Sequence, residues 1–183
     1  MDVLTVEAAL DLAGKVAEHV DIIELGTPLV KNAGLGAVTA VKTAHPDKIV
    51  FADMKTMDAG ELEAEIAFAA GADLVSVLGS ADDSTIAGAV KAAKAHNKGI
   101  VVDLIGVQDK VARAKEARAL GAKFIEFHAG LFACVPFSVA GGVNLSTIEA
   151  VQRAGADVAV VGGSIYSADD PAVAAKELRA AII

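Results

Sequence analysis

The chain has 183 residues, 54% of them hydrophobic, and a formal net charge of −8. This length is enough for one domain with a sizeable core, and an acidic chain without a basic patch argues against nucleic acid as a main partner and leaves small-molecule chemistry open. No run of about 18 apolar residues indicates a membrane span, no signal peptide is recognisable, and one cysteine, Cys134, excludes an internal disulfide. We expect a single domain over residues 1–183, located in the cytoplasm.

Helix and strand patterns alternate along the chain. Helical periodicity predicts helices at about 4–18, 33–44, 58–70, 82–97, 107–119, 145–154 and 170–181. Short apolar runs rich in Val and Ile predict strands at 20–26, 49–55, 73–79, 99–105, 123–129, 136–140 and 157–163. Strands that alternate with helices indicate a parallel sheet covered by helices.

The spacing of these elements is irregular at one point. Gly71 and Gly121, which follow equivalent helices, lie 50 residues apart, whereas Gly121 and Gly155 are only 34 apart although two strands begin between them. Five residues separate Gly130 from Pro136, and a parallel crossover needs roughly a dozen or more. The sequence therefore predicts that one crossover helix is absent, and that no strand precedes the first helix.

Charged or titratable residues stand near the C-terminal ends of four predicted strands: Glu24, Asp53 with Lys55, Asp103, and His128. Ligands bind at that end of a parallel sheet, so we expect these side chains to converge on one site. Each residue also has a plain structural interpretation. Asp53 and Lys55 could form a structural ion pair, Asp58 could cap the following helix, and His128 could be a core histidine.

Two glycine pairs form a second group of candidate site residues. Gly141 and Gly142 follow one predicted strand, and Gly162 and Gly163 follow the last one. Glycine lets backbone amides approach an anion closely, and phosphate sites after the last two strands are common in (β/α)₈ barrels. These glycines are therefore candidates for binding a substrate phosphate, with tight turns as the alternative interpretation.

The segment DMKTMD, residues 53–58, matches the D-x-K-x-x-D signature of the orotidine monophosphate decarboxylase suprafamily. With DIIELGTPL, VVDLIG, EFHAGL and PFSVAGGV, the chain resembles the 3-hexulose-6-phosphate synthases within that suprafamily over nearly its whole length. The resemblance implies a (β/α)₈ TIM barrel, a homodimer, Mg²⁺, and the addition of formaldehyde to the phosphorylated sugar D-ribulose 5-phosphate.

The resemblance also implies roles for individual residues. Glu24 and Asp53 would hold Mg²⁺, Lys55 would stand beside the developing oxyanion, and His128 would transfer a proton. Asp58 would lie at the dimer interface and orient Lys55 of the partner's site. Asp2 matches the acidic residue that ends the family's first strand, and Asp103 stands where the related 3-keto-L-gulonate 6-phosphate decarboxylases tend to carry Glu.

The chain departs from the family at the two places that spacing identifies. Met1 alone precedes Asp2 where the family has a full strand, and the residues FAC follow HAGL where the family has a loop and a helix. The prediction is thus a TIM barrel lacking the first strand and the sixth crossover helix, either an engineered truncation or a sequence that omits residues. Three functions remain open: the synthase, the decarboxylase, and an inactive engineered scaffold in which the barrel is rearranged.

Overall fold

The structure, a computed structural model, describes residues 1–128 and 136–182. Its described strands form one seven-stranded parallel sheet, in the spatial order of the sequence. The strands are β1 (Ile22–Leu25), β2 (Ile49–Thr56), β3 (Leu74–Leu78), β4 (Gly99–Asp103), β5 (Phe124–His128), β6 (Phe137–Ala140) and β7 (Val158–Ala159). The predicted parallel α/β architecture and all seven predicted strands are confirmed.

Helices connect and cover these strands. They are α1 (Val6–Val16), α2 (Thr27–Ala33), α3 (Gly36–Ala44), α4 (Gly60–Ala69), α5 (Asp83–His96), α6 (Lys110–Leu120), α7 (Ile148–Arg153), α8 (Gly163–Tyr166) and α9 (Pro171–Ala180), with a short 3₁₀ helix at Ala17–His19. The seven predicted helices are confirmed in place, and α2 and α8 were missed. The segment after β1 is two helices because Gly34, at φ 68°, ends α2 before α3 begins. None of the helices in the described part of the chain is long and apolar enough to cross a membrane.

Left-handed backbone explains where several helices stop. Gly71, Gly121 and Gly155 follow α4, α6 and α7, and all three have φ between 81° and 111°. A side chain is strained in this region, so glycine ends the helix and turns the chain into the next strand. The sequence predicts that these glycines are equivalent points after helices, and the structure confirms that interpretation.

The described residues form three apolar clusters, two of which lie on opposite faces of the sheet because strand side chains alternate between its faces. The larger of these two lies between the sheet and the helices and includes Ile23, Val75, Val102 and Ile125, each at most 2% exposed. A smaller apolar cluster lies on the other face of the strands and comprises Phe51, Leu74 and Val101 with the partly buried Ile22 and Phe124. The second cluster forms the floor beneath the candidate site.

An ion network ties the amino ends of the strands together, away from that site. The Asp73 carboxylate accepts hydrogen bonds from Lys42 Nζ at 2.8 Å, from the Val50 amide at 2.9 Å, and from Lys98 Nζ. Burial opposes ionisation of Asp73, but the hydrogen bonds from Lys42, Lys98 and Val50 lower its pKa below the ordinary value. Asp73 therefore fixes β2 against α3 and the start of β4.

The described residues supply seven strands, the number that the sequence predicted, whereas the family resemblance alone implied eight. The Met1 amino group donates to the Glu24 carbonyl at 2.7 Å, and the Gly26 amide donates to the Met1 carbonyl at 3.0 Å. This is the hydrogen-bond pattern of a parallel bridge between Met1 and Leu25, but one bridge is too short to count as a strand. Met1 therefore lies beside Leu25 of β1, and its backbone pairs with β1 as a parallel strand would.

The connection from β5 to β6 is the shortest between described strands. Residues 129–136 separate these two strands, whereas between 17 and 23 residues separate every other consecutive pair. The predicted departure from the family, at the residues FAC that follow HAGL, lies outside the described residues. The parallel register of Ile125 with Phe137 and of His128 with Ala140 is nevertheless in place, so β6 keeps its position beside β5 despite the short connection.

Candidate active site

Six neighbouring strands, β1 to β6, each carry one acidic or hydroxyl side chain at the equivalent depth: Glu24, Asp53, Ser76, Asp103, Glu126 and Ser138. The first five stand two positions after the residues of the apolar floor, and residues two apart on a strand share a face. Glu24 is half-buried, and the other five side chains are buried. The predicted convergence of Glu24, Asp53, Lys55 and Asp103 therefore takes place above an apolar floor, with three further polar groups beside them.

Lys55 is the cation of this group. Its Nζ donates to Asp103 Oδ2 at 2.8 Å and to the two Asp53 carboxylate oxygens at 3.0 and 3.1 Å. Burial opposes the charge, but the hydrogen bonds to Asp103 and Asp53 raise the pKa of Lys55 above its ordinary value. Lys55 is therefore held as a cation between the carboxylates of Asp53 and Asp103.

The backbone of Lys55 is unusual for a strand residue. Its φ is 47°, in the left-handed region, and the register of β2 with β3 shifts between Ala52 and Thr56. The Lys55 amide donates to Ser76 Oγ at 2.8 Å, and Ser76 Oγ donates to Asp53 Oδ1 at 2.7 Å. A β-bulge of this kind re-aims a side chain, and backbone strain of this type is found at functional sites.

Hydroxyl groups orient the Asp53 carboxylate. Thr27 Oγ1, at the start of α2, donates to Asp53 Oδ2 at 2.7 Å, while Ser76 holds the other oxygen. Asp103 is held similarly, since its Oδ1 accepts the Ile105 amide at 2.8 Å. Sequence reasoning missed Thr27, Ser76 and Glu126. A signal for Glu126 was present in KFIEFH, where a glutamate alternates with phenylalanines in a buried strand.

The carboxylates of Glu24 and Glu126 are hard to ionise. Burial raises the pKa of Glu24 to about 7, with the Met1 amino group opposing and Asp53 adding to the shift. Burial also raises the pKa of Glu126 to about 9, and the carboxylates of Glu24, Asp103 and Asp53 add to that shift. Within the described residues, Glu126 Oε2 is buried and has no hydrogen-bond partner. Burial and the crowding of carboxyl groups thus hold the pKa values of both glutamates above their ordinary value.

The remaining predicted residues lie around this centre. Asp2 lies against Gly26 at the carboxyl end of β1: a Cβ added at Gly26 would be 2.0 Å from Asp2 Oδ1. Asp58 is exposed just beyond β2, and its carbonyl accepts from Thr85 Oγ1 at 2.9 Å. Its side chain does not cap α4, which begins without a side-chain cap. The backbone of His128 ends β5, and the prediction for its side chain lies outside the described residues.

The four glycines lie at the carboxyl ends of β6 and β7. Gly141 and Gly142 have φ of 88° and 69°, and a Cβ added at either would meet no atom within 4 Å. Gly162 and Gly163 begin α8, where Tyr166 lies 3.3 Å from the position of a Gly162 Cβ. All four line one cavity of about 940 Å³ together with Glu24, Asp53, Lys55 and Glu126. The predicted phosphate-binding glycines and the predicted charged residues therefore share a cavity.

The donor set is compatible with Mg²⁺. Among the described residues, no three acidic, histidine or cysteine side chains are arranged to enclose a metal ion. Mg²⁺ commonly uses one or two carboxylates and takes its other oxygens from water and substrate. Glu24 and Asp53 supply two carboxyl groups on the neighbouring strands β1 and β2, and both residues line the cavity.

A parallel sheet covered by helices, with polar side chains converging at the carboxyl ends of its strands, defines an enzyme-type site on a TIM-type fold. Comparison with known proteins gives the family. The model of the Orotidine 5'-phosphate decarboxylase / HUMPS family matches residues 1–133 and 111–178. The chain belongs to this family.

The most informative relatives are synthases. A 3-hexulose-6-phosphate synthase of Mycobacterium gastri is 71% identical over 200 residues, covering 100% of this chain and 97% of that protein. A crystal structure of a 3-hexulose-6-phosphate synthase has a TM-score of 0.97 and 72% identity, covering 100% of this chain and 97% of its own. A 3-keto-L-gulonate-6-phosphate decarboxylase from Vibrio cholerae O1 biovar El Tor is more distant, at 28% identity and a TM-score of 0.89, covering 100% and 94%.

The alignment with the Mycobacterium gastri synthase also bears on the short connection. It extends over 200 residues, 17 more than the 183 of this chain. The family model matches in two segments that overlap at residues 111–133, a range that contains β5 and the first residues after it. The predicted absence of a crossover helix at this connection stays a prediction.

Proposed function

We propose that this chain is a 3-hexulose-6-phosphate synthase, a Mg²⁺-dependent aldolase that adds formaldehyde to D-ribulose 5-phosphate. The observation that carries the proposal is the 71% identity, over the whole chain, with a synthase of that name. The arrangement of Lys55 between Asp53 and Asp103 supports it, because a fixed cation in a buried site stabilises oxyanions.

The reaction requires proton removal followed by carbon–carbon bond formation. Removal of a proton from C1 of the pentulose leaves an enediolate across C1 and C2. C1 then bonds to the carbon of formaldehyde, and the formaldehyde oxygen takes up a proton, so that the product is a 3-hexulose 6-phosphate. Bound Mg²⁺, held by Glu24 and Asp53, would supply positive charge that stabilises the enediolate.

The chain's own residues divide the remaining work. The Lys55 ammonium, held by Asp53 and Asp103, stabilises negative charge on the substrate oxygens. Ser76 and Thr27 keep the Asp53 carboxylate oriented by one hydrogen bond to each oxygen. We assign proton transfer to His128, with Asp2 and Asp103 as supporting acidic groups, on the resemblance to the family. The glycines at 141, 142, 162 and 163 bind the phosphate through backbone amides.

We further propose that the protein is a cytoplasmic homodimer that buries the exposed face of α4. Met57, Leu62 and Ile66 are 52%, 65% and 47% exposed, and Leu62 and Ile66 are one helical turn apart. An apolar patch of this kind on a monomer marks a protein interface. Asp58 is exposed next to Met57, which suits a residue that reaches a partner's site.

The test is to identify the product. The purified chain is mixed with Mg²⁺, D-ribulose 5-phosphate and ¹³C-formaldehyde, and NMR follows the label. A labelled hydroxymethyl carbon in a hexulose phosphate is expected. In a second reaction, the chain is mixed with 3-keto-L-gulonate 6-phosphate. Release of CO₂ there, with no labelled product in the first reaction, would favour the decarboxylase. A folded chain with neither reaction would favour an inactive scaffold.

A further inference from the structure

Glu126 is a buried acid to which neither the sequence nor the family resemblance gave a role. It lies in β5, its side chain is 2% exposed, and it lines the cavity shared by Glu24, Asp53 and Lys55. In the part of the chain that the structure describes, its Oε2 has no hydrogen-bond partner. A buried acceptor without a partner destabilises a fold, so a structural role does not explain this residue.

The surroundings of Glu126 repel its charge. The groups that act on it are the carboxylates of Glu24, Asp103 and Asp53, and burial and these carboxylates together raise its pKa to about 9. Lys55 acts in the other direction, but its ammonium already donates to Asp53 and Asp103. Glu126 therefore lowers the stability of the ligand-free protein, a cost that is common for groups that serve a ligand.

The cavity indicates which ligand would supply the missing partner. Its polar lining combines acidic oxygens and Lys55 with the four glycines at the carboxyl ends of β6 and β7. Beneath these groups the apolar side chains of Phe51, Leu74 and Val101 close the floor. A ligand that satisfies Glu126 must place a polar hydrogen or oxygen just above that floor, while its anionic end reaches the glycines.

We propose that Glu126 is a substrate-contacting residue whose Oε2 hydrogen-bonds a hydroxyl group of a phosphorylated sugar bound in this cavity. The choice of ligand rests on the proposed function. The contact fixes the hydroxylated part of the sugar at the floor and is independent of phosphate binding. The contact predicts that removal of the Glu126 side chain weakens binding of the sugar phosphate and stabilises the ligand-free protein.

The test uses Glu126→Leu, Glu126→Gln and, as a matched control, Glu18→Leu at an exposed glutamate. Calorimetry in Mg²⁺ measures the affinity for D-ribulose 5-phosphate and for inorganic phosphate, and thermal unfolding measures the ligand-free melting temperature. We expect Glu126→Leu to weaken sugar phosphate binding about tenfold or more, to leave phosphate binding within twofold, and to raise the melting temperature. Glu126→Gln, which keeps a hydrogen-bonding group, should lose less affinity than the leucine variant. Glu18→Leu should change none of these quantities.

The outcomes are decisive in both directions. Unchanged sugar phosphate affinity in Glu126→Leu overturns the contact, and so does a lower melting temperature in both variants, which would show a structural role. If the wild-type chain binds the sugar phosphate through Glu126 but shows no formaldehyde-dependent turnover, the proposed function fails and the contact stands. If the wild-type chain shows formaldehyde-dependent turnover and Glu126→Leu binds the sugar phosphate as tightly as the wild type, the contact fails and the proposed function stands. A wild-type chain that does not bind the sugar phosphate overturns both.

Discussion

Lys55 Nζ lies 2.8 Å from Asp103 Oδ2, although the two residues are on β2 and β4, which are separated by β3. The ammonium group reaches across β3 because the bulged, left-handed backbone at Lys55 turns its side chain over Ser76. Three strands are thereby joined by one cation and one hydroxyl group. This arrangement joins the D-x-K signature to a carboxylate 48 residues away.

Replacement of Lys55 by alanine should abolish most of the activity. The substitution Lys55→Ala removes the charge nearest the developing oxyanion, and the loss of one such group typically lowers turnover by about 10²-fold or more. The measurement is formaldehyde-dependent turnover at saturating substrate. Lys91→Ala is the matched control, because Lys91 pairs with Glu61 on the surface and is 73% exposed. Turnover of Lys55→Ala within twofold of wild type would exclude this role.

Replacement of Ser76 by alanine should lower stability through Asp53 and Lys55 together. Ser76→Ala takes a donor from Asp53 Oδ1 and an acceptor from the strained Lys55 amide, at a cost of about 1–3 kcal/mol in the free energy of unfolding. Urea denaturation measures this cost, with Ser84→Ala at an exposed position in α5 as the control. Equal free energies of unfolding for Ser76→Ala and wild type would contradict the proposed coupling.

Asp73 should give the fold a pH-dependent stability that is independent of the active site. Its pKa is lowered from 3.8, so its contribution is present above that pH and is lost as the pH falls through the folded-state value. Asp73→Asn should therefore lower the free energy of unfolding at pH 7 by about 1–3 kcal/mol, and with it the melting temperature. The difference in melting temperature between the variant and the wild type should shrink under strongly acidic conditions. Thermal unfolding from pH 7 to pH 2 measures this effect.

The control for Asp73 is Asp47→Asn, at an exposed residue. This variant should match the wild type at every pH. A difference between Asp73→Asn and wild type that does not depend on pH would show that the network acts through packing and not through charge.

The exposed face of α4 should control assembly. Leu62→Glu places a charge at the centre of the patch formed with Met57 and Ile66, and burying an unpaired charge in an interface costs several kcal/mol. Sedimentation velocity should show a dimer for the wild type and a monomer for Leu62→Glu. Val173→Glu, at a 50% exposed residue of α9, should remain dimeric. A monomeric wild type would rule out this interface.

The sequence was most informative where periodicity and turn chemistry decide the structure. Apolar runs located all seven strands, and glycines such as Gly121 located the helix ends. The charges of Asp53, Lys55 and Asp103 indicated a shared site because parallel strands place their carboxyl ends together.

Other parts of the site depend on long-range contacts that a linear pattern does not encode. The hydroxyl group of Ser76 meets Asp53 only through the pairing of β2 and β3, and Thr27 meets it through the short helix α2, which periodicity missed. The left-handed backbone of Lys55 has no local signal, because lysine does not favour that conformation. That Glu126 Oε2 has no hydrogen-bond partner among the described residues likewise becomes apparent only when the surroundings of β5 are known.

The most direct test of the central claim is the metal dependence of formaldehyde-dependent consumption of D-ribulose 5-phosphate by this 183-residue chain. We predict that the purified protein consumes the sugar phosphate only when formaldehyde is present, that EDTA stops the reaction, and that added Mg²⁺ restores it. Undiminished consumption in EDTA would contradict the assignment of Glu24 and Asp53 as Mg²⁺ ligands. A folded chain that consumes no ribulose 5-phosphate under any of these conditions would contradict the proposed function.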